Sequence, residues 1–415
     1  MKIKWFGSQI VLNKVEHSLL TGNDFLKRKL ALAKEALALD TLLIWPDRDK
    51  KNLELTQKIC SDFQIKTYLW YPLLADIALF KIRPEEAVET FEGQRGYGKH
   101  GRWPQLGQGE EDFLFLCPNN EQALDKIFQH FENQLKTDDY DGVFLDRIRF
   151  PSPGNGLESL YTCFCPWCQR KFSDYYQEDL NRYRPLVKDF FQQLRVVELS
   201  DLAYYRSLSD ILRPGHLQRF FDFRAQSIFQ LTRRFAEEAK KRNKTVGLDL
   251  FAPSLSSLVA QDYRELATIS DWLKPMVYCH TASPAGLPLE YGCLLQGLLA
   301  FNPGLNEKQL ISEASRIVKA ELPCSLSALL KEGVPEDIII QEAERLKDFN
   351  LTENENRKIY IGLEAVQAGE LAHIDGPVLK KYLSAVSETD LDGILLSWNL
   401  LKIPDQNLRV VGDLL

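Results

Sequence analysis

Short apolar runs alternate with amphipathic stretches along this chain, and eight of the runs have the length and composition of β-strands. They are Thr41 to Trp45, Lys66 to Tyr71, Asp112 to Cys117, Gly142 to Asp146, Thr245 to Phe251, Trp272 to Cys279, Lys358 to Glu364 and Gly393 to Trp398. Most are continuously apolar, the pattern of strands covered on both faces, as in a parallel sheet flanked by helices. The intervals carry apolar residues at three- and four-residue spacing, as in Asn52 to Phe63, Asn120 to Gln134, Leu217 to Lys241 and Pro335 to Phe349. These read as amphipathic helices. Strands and helices in alternation specify α/β architecture, and eight strands favour closure into a (β/α)8 TIM barrel over an open sheet.

Three connections are too long for plain turns. The first, Leu73 to Glu111, contains the glycine-rich stretch Gly93 to Trp103 and reads as a surface loop able to cover a site. The second and third, 151–244 and 281–357, read as helical insertions, the former carrying a cysteine knuckle after strand four. All three leave the C-terminal ends of strands, so a barrel would gather them around one mouth. With no linker or internal repeat to divide the chain, the sequence predicts a single elaborated barrel over residues 1–415.

Composition removes several classes of function. The net charge of −7, with lysines and arginines dispersed among the acids, leaves no basic stripe for a phosphate backbone, so no nucleic acid partner is expected. The first twenty residues lack the uninterrupted apolar core of a secretion signal, and no run approaches the roughly twenty apolar residues of a membrane span. A cytoplasmic protein without a membrane partner is expected. Oligomeric state leaves no mark in the sequence.

Three of the eight cysteines crowd into Cys163-Phe164-Cys165-Pro166-Trp167-Cys168, a spacing suited to metal binding rather than to paired bridges. Pro166 can open a helix whose first turn presents thiolates. Cys117 ends the third predicted strand, beside the strand whose following loop holds the other three, and completes a candidate four-thiolate zinc site. Such a closed shell leaves no position for substrate, so the zinc would be structural.

Cys117-Pro118-Asn119 together with Cys163-x-Cys165-x-x-Cys168 and a trailing Phe172 resembles the zinc cluster of the β-galactosidases of glycoside hydrolase family forty-two. The wider pattern of Phe144-Leu145-Asp146-Arg147-Ile148-Arg149-Phe150, Asp249-Leu250-Phe251, Pro275-Met276-Val277-Tyr278 and Ser397-Trp398 resembles glycoside-hydrolase-like barrels over most of the chain. The resemblance implies a carbohydrate or glycoconjugate substrate. In family forty-two the acid/base is a glutamate preceded by asparagine at the end of strand four, and a glutamate ending strand seven is the nucleophile. Glu364 matches the latter position, whereas Arg147-Ile148 stands in place of the Asn-Glu pair.

Glycosidic cleavage uses two carboxyl groups, one protonated and one ionised. Asp146, Asp249 and Glu364 each end or interrupt an apolar strand, a setting in which a charge is otherwise unwelcome, and they are the candidate catalytic residues. Arg147 and Arg149 would orient a carboxylate. Trp45, Trp70, Tyr278 and Trp398 lie near strand ends where rings could stack on sugar faces, and His280 could hydrogen-bond a hydroxyl. The sequence therefore reads as a glycoside hydrolase. Its rivals are a catalytically silent carbohydrate-binding barrel and a metal-dependent hydrolase holding a further metal through residues such as His280 and Asp249.

Overall fold

Eight parallel strands close into a barrel in the order in which they occur along the chain, β1 pairing with both β2 and β8. They are β1 (Trp5–Ile10), β2 (Thr41–Ile44), β3 (Lys66–Pro72), β4 (Gly142–Asp146), β5 (Thr245–Phe251), β6 (Trp272–Met276), β7 (Lys358–Glu364) and β8 (Gly393–Ser397). The structure is a computed structural model that describes residues 5–12, 15–45, 49–75, 77, 81–95, 114–202, 204–351 and 357–413. Helices occupy the intervals, among them Lys50–Asp62, Glu121–Thr137, Gln218–Lys241 and Ile338–Asp348, close to the stretches that periodicity marks out. The chain is a (β/α)8 TIM barrel.

One predicted strand is wrong and one real strand is missing from the prediction. Of Asp112 to Cys117, the first two residues lie outside the described residues, and Leu116 makes only a single antiparallel bridge to Ala87. Leu114, Phe115 and Leu116 are apolar because they are buried beneath the loops of the mouth, with the Arg149 guanidinium over the Phe115 ring. The true first strand, Trp-Phe-Gly-Ser-Gln-Ile, escapes an apolar search because Ser8 and Gln9 interrupt it. Both are buried and satisfied: Ser8 Oγ donates to the Leu396 carbonyl at 2.9 Å, and Gln9 Oε1 accepts inside the barrel. Most of the loop Leu73 to Glu111, including 96–111, lies outside the described residues.

The barrel interior is aromatic. Leu43, Trp45, Tyr68, Trp70, Phe144, Trp272 and Leu395 form a cluster separate from the larger core between sheet and helices. Phe144 stacks on Trp272 at 5.1 Å, and Gly247 on β5 leaves the space the Trp272 indole fills, since a Cβ there would collide with the ring. These wide side chains plug the barrel's middle, so chemistry is confined to the C-terminal ends of the strands.

The 151–244 connection contains the helices Pro166–Tyr176, Tyr183–Gln193 and Gln218–Lys241, and 281–357 contains Leu287–Phe301, Glu307–Val318 and Ile338–Asp348. Glu290, fully buried, fastens the two together. Its carboxylate accepts from Ser152 Oγ at 2.9 Å and Gly154 N at 2.8 Å on one side, and from Ala285 N at 3.0 Å on the other. Among the described residues no helix is long and apolar enough to cross a membrane.

Candidate functional site

Asp146 is the last residue of β4, and the chain turns sharply beyond it because Arg147 adopts a left-handed backbone, φ 55°. That conformation is uncommon for a side chain of this size and persists where its surroundings fix it. Its effect is to fold the Arg147 amide back on the aspartate: N donates to Asp146 Oδ1 at 2.5 Å, and Arg147 Nε lies 3.8 Å from Oδ2. The Trp70 indole on β3 donates to Oδ2 at 2.9 Å. Trp45 meets Trp70 edge-on at 4.6 Å. Asp146, Trp70 and Trp45 keep 6%, 7% and 6% of their surface exposed, so all three are buried, the two indoles within the aromatic cluster that fills the barrel.

Asp249 and Tyr278, both candidates from the sequence, meet in a buried polar network centred on Lys274, Gln9 and Ser397, which the sequence reading did not single out. Lys274 on β6 is fully buried, and its Nζ donates to Tyr278 Oη at 2.8 Å and Gln9 Oε1 at 3.0 Å and pairs with Asp249 Oδ2 at 3.3 Å. Tyr278 Oη donates to Ser397 Oγ at 2.8 Å, and Ser397 Oγ donates to Gln9 Oε1 at 2.8 Å. Side chains from β1, β5 and the segment after β6 thus converge on one ammonium, and Ser397 of β8 links two of them. Gly362 on β7 accommodates the Lys274 stem, which a Cβ would strike. The signal in the sequence was a lysine inside Trp272-Leu273-Lys274-Pro275-Met276, a cation where a buried strand tolerates one only with partners.

Burial pushes the Asp249 carboxyl up to about 7; the Lys274 ammonium opposes this and the negative charge of Asp146 reinforces it. Burial pushes Lys274 down, against the pull of Asp249 and Asp146. Asp249 Oδ1 has no hydrogen-bond partner among the described residues. Asp146 and Asp249 are therefore electrostatically joined on adjacent strands, each following one of the paired residues Leu145 and Leu248.

Glu364 is placed differently. Its residue is fully buried, and Oε1 accepts from His280 N at 2.5 Å and from Tyr382 Oη at 2.8 Å, while Oε2 has no partner among the described residues. His280 Nδ1 lies 2.6 Å from the same Tyr382 hydroxyl, and its Nε2 is 4.0 Å from Glu336, so the imidazole is turned toward the helix Gly376–Ser387. Arg149 is also buried, its guanidinium stacked over Phe115 and Phe251 at 4.7 and 4.4 Å, with Nη1 donating to the Phe150 carbonyl at 3.0 Å. Trp398 follows β8 and is partly buried against the core.

Burial raises the Glu364 carboxyl from its ordinary 4.5 to about 7. The folded protein thus holds a proton that the unfolded chain releases near 4.5, so this group's stabilisation is complete below that pH and is lost as pH rises through about 7. Glu364→Gln keeps the shape and removes the titration. Its Tm relative to wild type should improve between pH 5 and pH 8. A difference that is constant or declines over that interval would contradict the assignment.

Cys117, Cys163, Cys165 and Cys168 are buried, unpaired as disulfides, and their sulfurs lie within 4.8 Å of one another. Cys117 Sγ is 3.4 Å from both Cys165 Sγ and Cys168 Sγ. Four sulfurs about 2.3 Å from a tetrahedral ion sit about 3.8 Å apart, so the cluster has the dimensions of a thiolate metal site. The amides of Glu89 and Asn119 point at Cys163 Sγ and Cys117 Sγ at 3.3 and 3.4 Å, and Asn119 Nδ2 reaches Cys168 Sγ at 3.2 Å. These donors suit sulfur that carries negative charge. Pro166 opens the helix Pro166–Tyr176 with Cys165 as its cap, and Cys117 comes from the β3–β4 connection just before the helix Glu121–Thr137. The cluster joins the loops that follow β3 and β4.

No family model matches this chain, and no curated protein is similar to it in sequence. Its structure is similar to the PgaB (BpsB) glycoside hydrolase domain from Bordetella bronchiseptica, with a TM-score of 0.61 at 12% identity over 100% of this chain and 99% of that one. It is also similar to Gan42B, a GH42 β-galactosidase, with a TM-score of 0.52 at 12% identity over 99% of this chain and 56% of that one. What this chain shares with them is the (β/α)8 barrel fold. At this identity the likeness carries architecture alone.

Proposed function

We propose that the protein is a glycoside hydrolase whose reacting groups are Asp146 and Asp249. The observation that carries this reading is two carboxyls on adjacent strands in unlike settings: Asp146 accepts two N–H donors beside two indole rings, and Asp249, electrostatically coupled to it, holds its proton up to about 7. Two carboxyl groups with unlike environments are what acid-assisted glycosidic cleavage requires. Asp146 faces the positive charge that develops at the anomeric carbon, as nucleophile or as base toward water. Asp249 supplies the proton to the leaving oxygen. Trp70, Trp45 and Trp398 offer stacking surfaces for sugar rings, and Arg147 orients Asp146.

Glu364 and Arg149 support the mouth instead of touching substrate in this reading, and His280 with Tyr382 holds Glu364. The four cysteines hold a structural zinc whose closed shell braces the β4 loop, the chemistry remaining with the carboxyls. Unpaired thiols in that number suit a reducing, cytoplasmic setting.

The test is hydrolysis of a panel of aryl glycosides and oligosaccharides, followed by the rate against pH. Turnover of at least one class is expected, with a basic limb near 7 as Asp249 loses its proton. Lys274→Met removes the charge that holds Asp249 down, so the basic limb should move to higher pH. An unmoved limb would take Asp249 out of the acid role. The burial of Asp249, 3% exposed and paired to Lys274, favours a second reading, a silent carbohydrate-binding barrel. Saturable binding of an oligosaccharide with no turnover by any panel member supports that reading over the first.

A further inference from the structure

Arg224, on the helix Gln218–Lys241, is fully buried, yet Nε, Nη1 and Nη2 have no hydrogen-bond partner among the described residues. Its guanidinium lies over the rings of Phe150, Phe220 and Phe221 at 4.5, 5.7 and 5.6 Å. Aromatic faces attract a cation but do not neutralise it, and a guanidinium cannot shed its proton to escape the cost of burial. Among the described residues no carboxylate pairs with it. The neighbouring Arg213 repels it, and the groups whose negative charge would favour it are the thiolates of Cys163 and Cys168.

The same helix forms one wall of the cysteine cluster. Ser227, one turn beyond Arg224, accepts from Asn119 Nδ2 at 3.0 Å, and that nitrogen also reaches Cys168 Sγ. A second cation, Lys171, stands one turn after Cys168 on the helix Pro166–Tyr176, where the charge of Cys168 and Cys117 as thiolates would favour its ammonium. Four thiolates around a divalent ion leave two negative charges, which one guanidinium and one ammonium balance. Four neutral thiols would leave Arg224 buried without a counter-ion.

We infer that Arg224 is the buried countercharge of a divalent four-thiolate centre, with Lys171 as its outer partner. This rests on the metal reading above. Arg224 positions and neutralises the centre without touching the ion, and the aromatic cage fixes where its charge sits.

The test compares wild type, Arg224→Met, Arg224→Lys and Lys171→Met, each purified with zinc, by metal content and by the rate at which excess chelator removes zinc at neutral pH. Removing a partner outside the ligand shell typically weakens metal binding by about 10–100-fold, so Arg224→Met should release zinc at least about tenfold faster than wild type. Lys171→Met should release it faster by a smaller factor, and Arg224→Lys should stay nearer to wild type than Arg224→Met. Wild-type release from Arg224→Met, even with a lowered Tm, overturns the inference and leaves Arg224 a packing residue. If Arg224→Met does not fold, Lys171→Met decides: faster release supports the inference and unchanged release overturns it. Wild type without bound metal overturns the metal reading itself, an outcome distinct from a failure seen only in the variants.

Discussion

Asp146→Asn should abolish turnover and leave the barrel folded. The amide fills the same volume, and its single oxygen can accept from the Trp70 indole or from the Arg147 amide but not from both, which costs one hydrogen bond. On the proposed mechanism, what is also lost is the negative charge and any ability to attack or to take a proton. The rate should therefore fall by at least about 10²–10⁴-fold, while Tm moves by only a few degrees. Measuring kcat on the best panel substrate beside thermal unfolding separates the two effects. Activity within tenfold of wild type would remove Asp146 from the chemistry. A collapsed Tm would make it a structural residue of the β4 turn.

Cys165→Ser should have the largest effect on stability. Cys165 caps the helix Pro166–Tyr176 and its sulfur lies 3.4 Å from Cys117 Sγ, so on the proposed metal reading this one side chain would tie the β4 loop to the β3–β4 connection. A serine hydroxyl is a poor ligand for zinc beside thiolates, and metal binding in such a site is folding free energy. The loss should reach several kcal/mol, about 5 °C in Tm for a chain of this size, accompanied by less than one zinc per chain. Elemental analysis and a thermal scan on the same sample check both. Undiminished zinc in the variant would show that the ion sits elsewhere or that three sulfurs suffice.

The barrel was legible because seven of its strands are apolar runs, and a strand covered by helices on one face and by aromatic plugs on the other has no reason to alternate. The two strand errors share a cause. Burial makes a segment apolar whether or not it pairs, which is why Leu114 to Cys117 resembled a strand, and a barrel interior that holds a polar network makes a real strand look broken, which is why Trp5–Ile10 was passed over. The site followed the same logic. Carboxylates at strand ends stand out against apolar neighbours, so Asp146, Asp249 and Glu364 were all legible as candidates, but sequence cannot show which way a side chain turns. Asp146 meets the Trp70 indole, Asp249 meets Lys274, and Glu364 is held by Tyr382 and the His280 amide. Lys274 was visible as a charge inside a strand, yet its meaning depended on Gln9 and Ser397, which lie at opposite ends of the chain and meet only when β1 and β8 close the barrel.

The most direct test of the central claim is a crystal structure of the Asp249→Asn protein soaked with a mixed panel of oligosaccharides, read for density at the barrel mouth. The account predicts a sugar ring against Trp70, with its glycosidic carbon facing Asp146 and the side chain of residue 249 on the leaving-oxygen side. The carboxyl positions should lie about 5–10 Å apart, the shorter value indicating retention of configuration and the longer inversion. A mouth that stays empty at saturating sugar, with Asp146 closed off by Arg147 and residue 249 out of reach of any ligand, would contradict it.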